Sequence, residues 1–126
     1  MKTPATVYVV DDDISVRRAL RRMLGAAGYH VVICETPEAF LELTPFATPA
    51  CLLLDVRMPR MTGLELQTTL CDEGRHPPIV MLSGHADATM TERAMSAGAV
   101  AVLSKPIEFD VLVRAVERGL ARDRLN

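Results

Sequence analysis

Strand-like and helix-like segments alternate from end to end of this 126-residue chain, which predicts a doubly wound α/β fold with five parallel strands and helices on both faces of the sheet. Three observations support that class. Short β-branched or apolar runs precede stretches of helical period throughout. One of those runs, Ala50 to Asp55 (ACLLLD), is almost wholly apolar, as a strand covered on both faces should be. The length is that of one domain, with no internal repeat, low-complexity tract or linker, so residues 1–126 read as a single unit.

Each element can be justified in turn. Ala5 to Val10 is a β-branched strand that stops at three consecutive aspartates. From Ile14 the period changes: Val16, Leu20, Met23, Leu24 and Ala27 share one helical face, arginines take the opposite one, and Gly28 ends the helix. His30 to Cys34 is a second strand. Thr36-Pro37 opens a second helix, with Thr as cap and Pro at the first helical position. After the third strand, Arg57 to Gly63 is a loop, in which Gly63 permits a turn or close packing, and Leu64 to Cys71 a third helix.

Pro78 to Leu82 is the fourth strand, followed by the polar turn Ser83-Gly84-His85-Ala86. Asp87 caps the fourth helix, Glu92 and Arg93 lie on its open face, and Gly98 ends it. Val100 to Leu103 is the fifth strand, and Ser104-Lys105-Pro106 turns the chain into a last helix with Val113, Val116 and Leu120 toward the core. That helix runs on through mixed-charge residues with no stop signal before Asn126, so the natural chain is expected to continue.

Composition narrows the function classes. Hydrophobic residues make up 49 % of the chain but aromatics only 4 %, with no Trp, so the core is expected to be built from Val, Leu, Ile, Ala and Met. A net charge of -2 argues against nucleic-acid binding by this segment, because duplex affinity rests on Lys and Arg neutralising phosphates. Arg17-Arg18 and Arg21-Arg22 fall at helical spacing and read as a solvated face, or else a docking surface for an acidic partner. Cys34, Cys51 and Cys71 show no metal-ligand spacing and read as reduced, buried or half-buried thiols. The methionines, including Met58, Met61, Met81 and Met95, read as core or loop filling, and His30, His76 and His85 share no ligand spacing. Met1 to Pro4 leads straight into the first strand without a signal-peptide pattern, and no apolar run approaches the ~18 residues of a membrane span. A soluble, cytoplasmic protein is expected.

In an open parallel sheet, functional residues gather beyond the carboxyl ends of the strands. Here the first strand ends in Asp11-Asp12-Asp13, the third in Asp55, the fourth in Ser83, and the fifth, one residue on, in Lys105. If those strands are neighbours, carboxylates, a hydroxyl and an ammonium converge in one crevice. Clustered carboxylates repel unless a cation compensates, and hard oxygen ligands suit Mg²⁺. Such an ion would let Asp55 act as a nucleophile toward a phosphoryl group and form an aspartyl phosphate. Lys105 would then offer the phosphoryl group a fixed positive charge, Ser83 Oγ a hydrogen bond, and Gly84 an open approach and a free N–H.

Four stretches, VYVVDDD (Val7–Asp13), LLLDVRMPRMTGLEL (Leu52–Leu66), PPIVMLSGHAD (Pro77–Asp87) and VLSKPI (Val102–Ile107), together make the chain resemble the receiver domains of two-component response regulators over essentially its whole length. That resemblance implies a flavodoxin-like (βα)5 sandwich with strand order 2-1-3-4-5. It puts the acidic pair on Asp11 and Asp12, with Asp12 favoured as the direct metal ligand and Asp13 outside the pair. Asp55 becomes the phosphoacceptor, and Arg57 lends its main-chain carbonyl to the metal, Mg²⁺ with Mn²⁺ as a substitute. Ser83 becomes the hydroxyl switch, and Lys105 precedes a cis Pro106.

Within receivers, DVRMPRMTGLEL and SGHAD look most like the FixJ-type (FixJ/NarL) branch. Its members usually carry a C-terminal DNA-binding domain, so the resemblance implies a transcription regulator whose effector half lies outside these residues. A sensor histidine kinase upstream, and phosphorylation-dependent dimerisation through the helix 4–strand 5–helix 5 face, are implied as well. Such a protein is a phosphoacceptor that assists its own phosphotransfer and dephosphorylation rather than an enzyme. One position departs from the pattern: three residues before Lys105, where many receivers place Tyr or Phe, stands Val102, so the coupling from Ser83 to the output face must differ or be weaker. Arg57 and His85 fall where phosphoryl lifetime is often tuned.

Two other readings compete. Asp11-Asp12-Asp13-Ile14-Ser15 faintly echoes a haloacid-dehalogenase-type phosphohydrolase with Asp11 as nucleophile, but the chain is short for that fold and Asp55 would be idle. A degenerate receiver acting only as an interaction module is opposed by the intact Asp11, Asp12, Asp55, Ser83 and Lys105. A flavin-binding module would need a phosphate loop where three aspartates stand.

Overall fold

A computed structural model describes residues 4–85 and 87–125; Met1 to Thr3, Ala86 in the turn after the fourth strand, and Asn126 lie outside the described residues. Five strands, β1 (Thr6–Val10), β2 (His30–Cys34), β3 (Ala50–Asp55), β4 (Ile79–Ser83) and β5 (Ala101–Ser104), alternate with five helices. The helices are α1 (Ile14–Ala26), α2 (Pro37–Leu41), α3 (Gly63–Glu73), α4 (Ala88–Ser96) and α5 (Phe109–Arg124). All strand pairs are parallel, in the order β2-β1-β3-β4-β5. The expected fold class and strand order are both present.

The alternation of side chains along each strand divides the interior into two layers. Val7, Val9, Cys51, Leu53, Val80 and Leu82 face one way, against Leu20 and Leu24 of α1 and Leu112, Val116 and Leu120 of α5. Tyr8, Val10, Leu52, Leu54, Ile79 and Met81 face the other way, against Phe40 of α2, Leu66 and Leu70 of α3 and Ala94 of α4. Every residue of β1, β3 and β4 is buried, which explains why their sequences are near-continuous apolar runs. The core is mainly aliphatic, as composition demands. Three of the five aromatics nevertheless form a local cluster: Phe46 stacks on Phe40 at 4.6 Å and Tyr8 meets both edge-on. The Tyr8 hydroxyl accepts the Ala47 N–H at 2.8 Å, so the ring also fastens the loop after α2.

The helix boundaries follow capping chemistry. Asp13, Thr36, Thr62 and Asp87 each accept a backbone N–H of the first turn that follows them. Thr62 and Glu65 form a reciprocal capping box. Gly28 and Gly98 stand just past the ends of α1 and α4 with φ of +92° and +103°, the left-handed conformation that terminates helices at little cost.

Some expectations are corrected. The third helix starts at Gly63, because Thr62 rather than Gly63 is its cap, and continues to Glu73. The fourth and fifth strands each begin one residue later than the sequence suggests and include Ser83 and Ser104. Cys34 and Cys51 are buried but Cys71 is exposed, and Met95 points outward at 44 % exposure. Both lie on helices whose single buried stripe is narrow. Val113 is only half-buried, whereas Val116 and Leu120 are in the core.

Two glycines allow elements to touch. A Cβ on Gly63 would collide with the carbonyl oxygen of Asp55 and lie 2.9 Å from Val56 Cα, while the Gly63 N–H donates to Val56 O at 2.8 Å. A Cβ on Gly119 would lie 2.7 Å from Cys51 Sγ. Backbone cannot retreat as a flexible side chain can. Gly63→Ala should therefore destabilise the fold by about 1–3 kcal/mol, read as a lower urea midpoint with an unchanged m value.

Candidate functional site

The carboxyl ends of β1 and β3 are brought level by their register. Val10 pairs with Leu54, so the next residues, Asp11 and Asp55, stand side by side at the edge of the sheet. Carboxylate oxygens of Asp11, Asp12 and Asp55 lie within 4.8 Å of one another, with Asp11 and Asp55 buried and Asp12 exposed. Asp13 turns away to cap α1, its Oδ1 accepting Ser15 N–H at 2.8 Å and Val16 N–H at 3.3 Å. Three carboxylates at this spacing form a hard-oxygen donor set, open on the Asp12 side, that fits a divalent cation such as Mg²⁺ or Mn²⁺.

Lys105 supplies the positive charge at the centre. Its Nζ donates to Asp11 Oδ2 at 2.9 Å and to Asp55 Oδ1 at 3.2 Å. The lysine follows β5, two strands from β3 and three from β1 in the sheet, so its long stem is what carries an ammonium across the mouth of β4. Backbone bonding fixes its origin, because Lys105 N–H donates to Ser83 O at 2.8 Å. The Lys105–Pro106 peptide is cis, as are Thr44–Pro45 and Thr48–Pro49.

These groups shift one another's acidity. Burial and the neighbouring Asp11 charge push the Asp55 carboxyl above its ordinary value, against the pull of Lys105 and the Arg57 N–H. Desolvation pulls Lys105 down, but its bonds and charges with Asp11 and Asp55 outweigh that and hold it above its ordinary value. Lys105 therefore stabilises the fold fully below its unfolded value of about 10.4, and that contribution fades as pH rises through the folded value. Asp55 has the opposite role: its ionised form is held in the fold at a cost.

The remaining residues surround this centre. Ser83 is buried, and its Oγ accepts the His85 N–H at 3.1 Å. Arg57, Gly84 and His85 are exposed at the rim. A Cβ at Gly84 would meet nothing within 4 Å, so the packing does not itself require glycine there. Val102 is half-buried on β5, against the layer that contains α4.

Sequence reasoning missed two contributors. Arg17 is not on a solvated face: its side chain is only 13 % exposed, Nη1 donates to the Asp11 carbonyl at 2.9 Å, and Nη2 lies 3.8 Å from Glu35. It braces the acidic loop from the first turn of α1, while Arg18, Arg21 and Arg22 are exposed as expected. Gln67, read only as part of a helix, is 1 % exposed and donates from Nε2 to the Ala94 carbonyl of α4 at 3.0 Å. A lone amide among the leucines of α3 was the available signal.

Residues 7–117 match the family described as Response regulator receiver domain. The chain is 43 % identical over 122 residues to Nodulation protein W of Bradyrhizobium diazoefficiens, covering 97 % of this chain and 54 % of that one. It is 40 % identical over 117 residues to Transcriptional regulatory protein FixJ of Rhizobium meliloti, covering 93 % and 57 %. Among solved structures, FixJ-N superimposes with a TM-score of 0.86 at 39 % identity over 96 % of each chain. Response regulator StyR superimposes with a TM-score of 0.89 at 44 % identity, over 98 % of this chain and 62 % of that one. The chain thus spans little more than half the length of the curated relatives it matches.

Because ionised Asp55 is held beside Asp11, Asp55→Asn should raise the thermal midpoint at neutral pH without divalent cations, by about 2–4 °C. The gain should shrink as acid protonates Asp55 in the parent chain, and shrink again when Mg²⁺ is added. Thermal denaturation followed by circular dichroism reads all three.

Proposed function

The chain belongs to the response regulator receiver domain family, and we propose that it is the phosphorylation switch of a two-component system, accepting a phosphoryl group on Asp55 from a sensor histidine kinase. The observation that supports this reading is the convergence of Asp55 with Asp11, Asp12 and Lys105 at one sheet edge.

Each residue has a chemical task in that reaction. A carboxylate oxygen of Asp55 attacks phosphorus as the donor's P–N bond breaks, and the imidazole leaves with the electron pair and takes a proton from solvent. Asp11, Asp12, Asp55 and the Arg57 main-chain carbonyl would hold Mg²⁺, which when bound offsets the negative charge of the phosphoryl oxygens. Lys105 exchanges its bond with Asp55 Oδ1 for one with a phosphoryl oxygen and keeps its bond to Asp11. Ser83, whose Oγ only accepts a hydrogen bond in the resting structure, has a proton to donate to the phosphoryl group, and Gly84 offers its N–H. Arg57 and His85, at the exposed rim, set how readily water reaches the acyl phosphate in autodephosphorylation.

The output is a change at the face formed by α4, β5 and α5, which promotes a homodimer. DNA would be reached only through a C-terminal domain outside these residues, by analogy with the longer relatives. No helix among the described residues is long and apolar enough to cross a membrane, and a cytoplasmic site of action fits a partner kinase that presents its phosphohistidine there. Asp11 is poorly placed as a hydrolase nucleophile. It is fully buried, with Oδ2 taken by Lys105 and Oδ1 by the Asp13 N–H at 2.9 Å.

Intact-protein mass after treatment with acetyl phosphate and Mg²⁺ tests the assignment. A single phosphoryl gain is expected, absent in Asp55→Asn and absent without divalent cation. A gain that survives in Asp55→Asn would move the nucleophile to Asp11, and no gain with acetyl phosphate or a cognate kinase would leave an interaction module.

A further inference from the structure

The attachments of α4 are unevenly distributed. Ala94 is the sole fully buried residue of that helix, and half-buried Met90 packs against the same core layer, so its apolar anchorage is small. Three side chains from other elements reach its carboxyl end. Gln67 Nε2 of α3 donates to Ala94 O at 3.0 Å, Cys71 Sγ of α3 to Ala97 O at 3.6 Å, and Arg122 Nη1 of α5 to Gly98 O at 2.9 Å. Among the described residues, no side chain of another element hydrogen-bonds Ala88–Arg93. There the helix is held by its own cap, Asp87, which accepts Met90 N–H at 2.7 Å, and by the packing of Met90.

Gln67 is the buried member of the three anchors. Among the described residues its Oε1 has no hydrogen-bond partner, although the residue is 1 % exposed. A buried acceptor without a donor is costly, and replacing the amide by an apolar group of the same shape removes that cost along with the bond. An amide retained at this expense has a positional role rather than a stabilising one. The amino end of α4, meanwhile, comes after the turn in which Ser83 Oγ holds the His85 N–H. When the Ser83 hydroxyl turns to another partner, that N–H is released two residues before the cap.

We propose that Gln67 is a positioning residue that pins the carboxyl end of α4, so that α4 moves as a lever hinged at Ala94–Gly98 and driven at its amino end by the Ser83–His85 turn. This rests on the phosphoacceptor reading of Asp55 and supplies the coupling left open by Val102. A hinged helix needs no rotating aromatic on β5: the displacement enters through the backbone of the β4–α4 turn and is largest there. The outward residues of the moving half, Thr89 and Glu92, change position, while Ala97 and Gly98 do not.

Hydrogen exchange resolved along α4 tests the hinge, in the unmodified chain and after acetyl phosphate with Mg²⁺, with intact mass measured on the same samples. In the parent chain, phosphorylation should change exchange at Met90–Glu92 at least fivefold and leave Ala97–Ala99 within twofold. In unmodified Gln67→Met, which keeps the shape and loses the donor, exchange at Ala97–Ala99 should rise about tenfold with the thermal midpoint unchanged or higher. A phosphorylated chain whose exchange changes uniformly along α4, or a Gln67→Met chain with unaltered exchange at Ala97–Ala99, would overturn the hinge. Absence of the mass gain would count against the phosphoacceptor reading instead, and the unmodified variants would still decide whether Gln67 pins the helix.

Discussion

The structure is organised around an electrostatic conflict at the carboxyl edge of the sheet. Parallel pairing of β1 with β3 places Asp11 beside Asp55, in a register that the apolar runs enforce. One ammonium, Lys105, touches both. In a partly buried setting, a charge left without its partner is far more costly than the intact group is stabilising. The position of β5 therefore matters beyond packing: it is the strand from which the compensating charge arrives. The arrangement is also two charges short, with three carboxylates facing a single lysine, an imbalance that one divalent cation would offset.

Around this edge the protein is firm in some places and lightly built in others. The central strands are buried along their whole length, and α5 is sewn to the sheet at Gly119, where only a hydrogen fits above Cys51, and at Asp123, whose Oδ2 accepts the Ala50 N–H at 2.8 Å. The loop from Asp55 to α3 is equally constrained, since Gly63 lies against the backbone of Asp55 and Val56. α4 is the exception, with one buried residue. A helix with little buried apolar surface belongs to the low-stability end of local opening, and it directly follows the strand that ends in Ser83.

Much of this was legible because strand ends in a parallel sheet are predictable places. The apolar runs identified β1, β3 and β4, and the first polar residue after each, Asp11, Asp55 and Ser83, was thereby located at one edge. Lys105 needed only the fifth strand. What stayed hidden depends on contacts between distant parts of the chain. Arg17 sits at helical spacing with exposed arginines, and nothing local says that its guanidinium folds back to a carbonyl six residues earlier. Asp123, in a mixed-charge helix end, gives no sign that it meets the start of β3. Cys71 and Met95 have the composition of core residues, yet the narrow buried stripes of α3 and α4 leave them outside.

The cysteines carry a practical consequence of that burial. Packing beneath α5, with Asp123 nearby, pushes the Cys51 thiol up to about 12, and burial also raises Cys34, so neither offers much thiolate at neutral pH. Cys71 is exposed and is thus the natural address for a maleimide dye or spin label, with no other cysteine needing removal. Its sulfur also reaches the carbonyl of Ala97, at the anchored end of α4. A probe placed there would sit on α3 beside that end, at the cost of the sulfur's own contact, and a second label introduced by mutation near Thr89 would give a ruler from α3 to the lightly held half of α4.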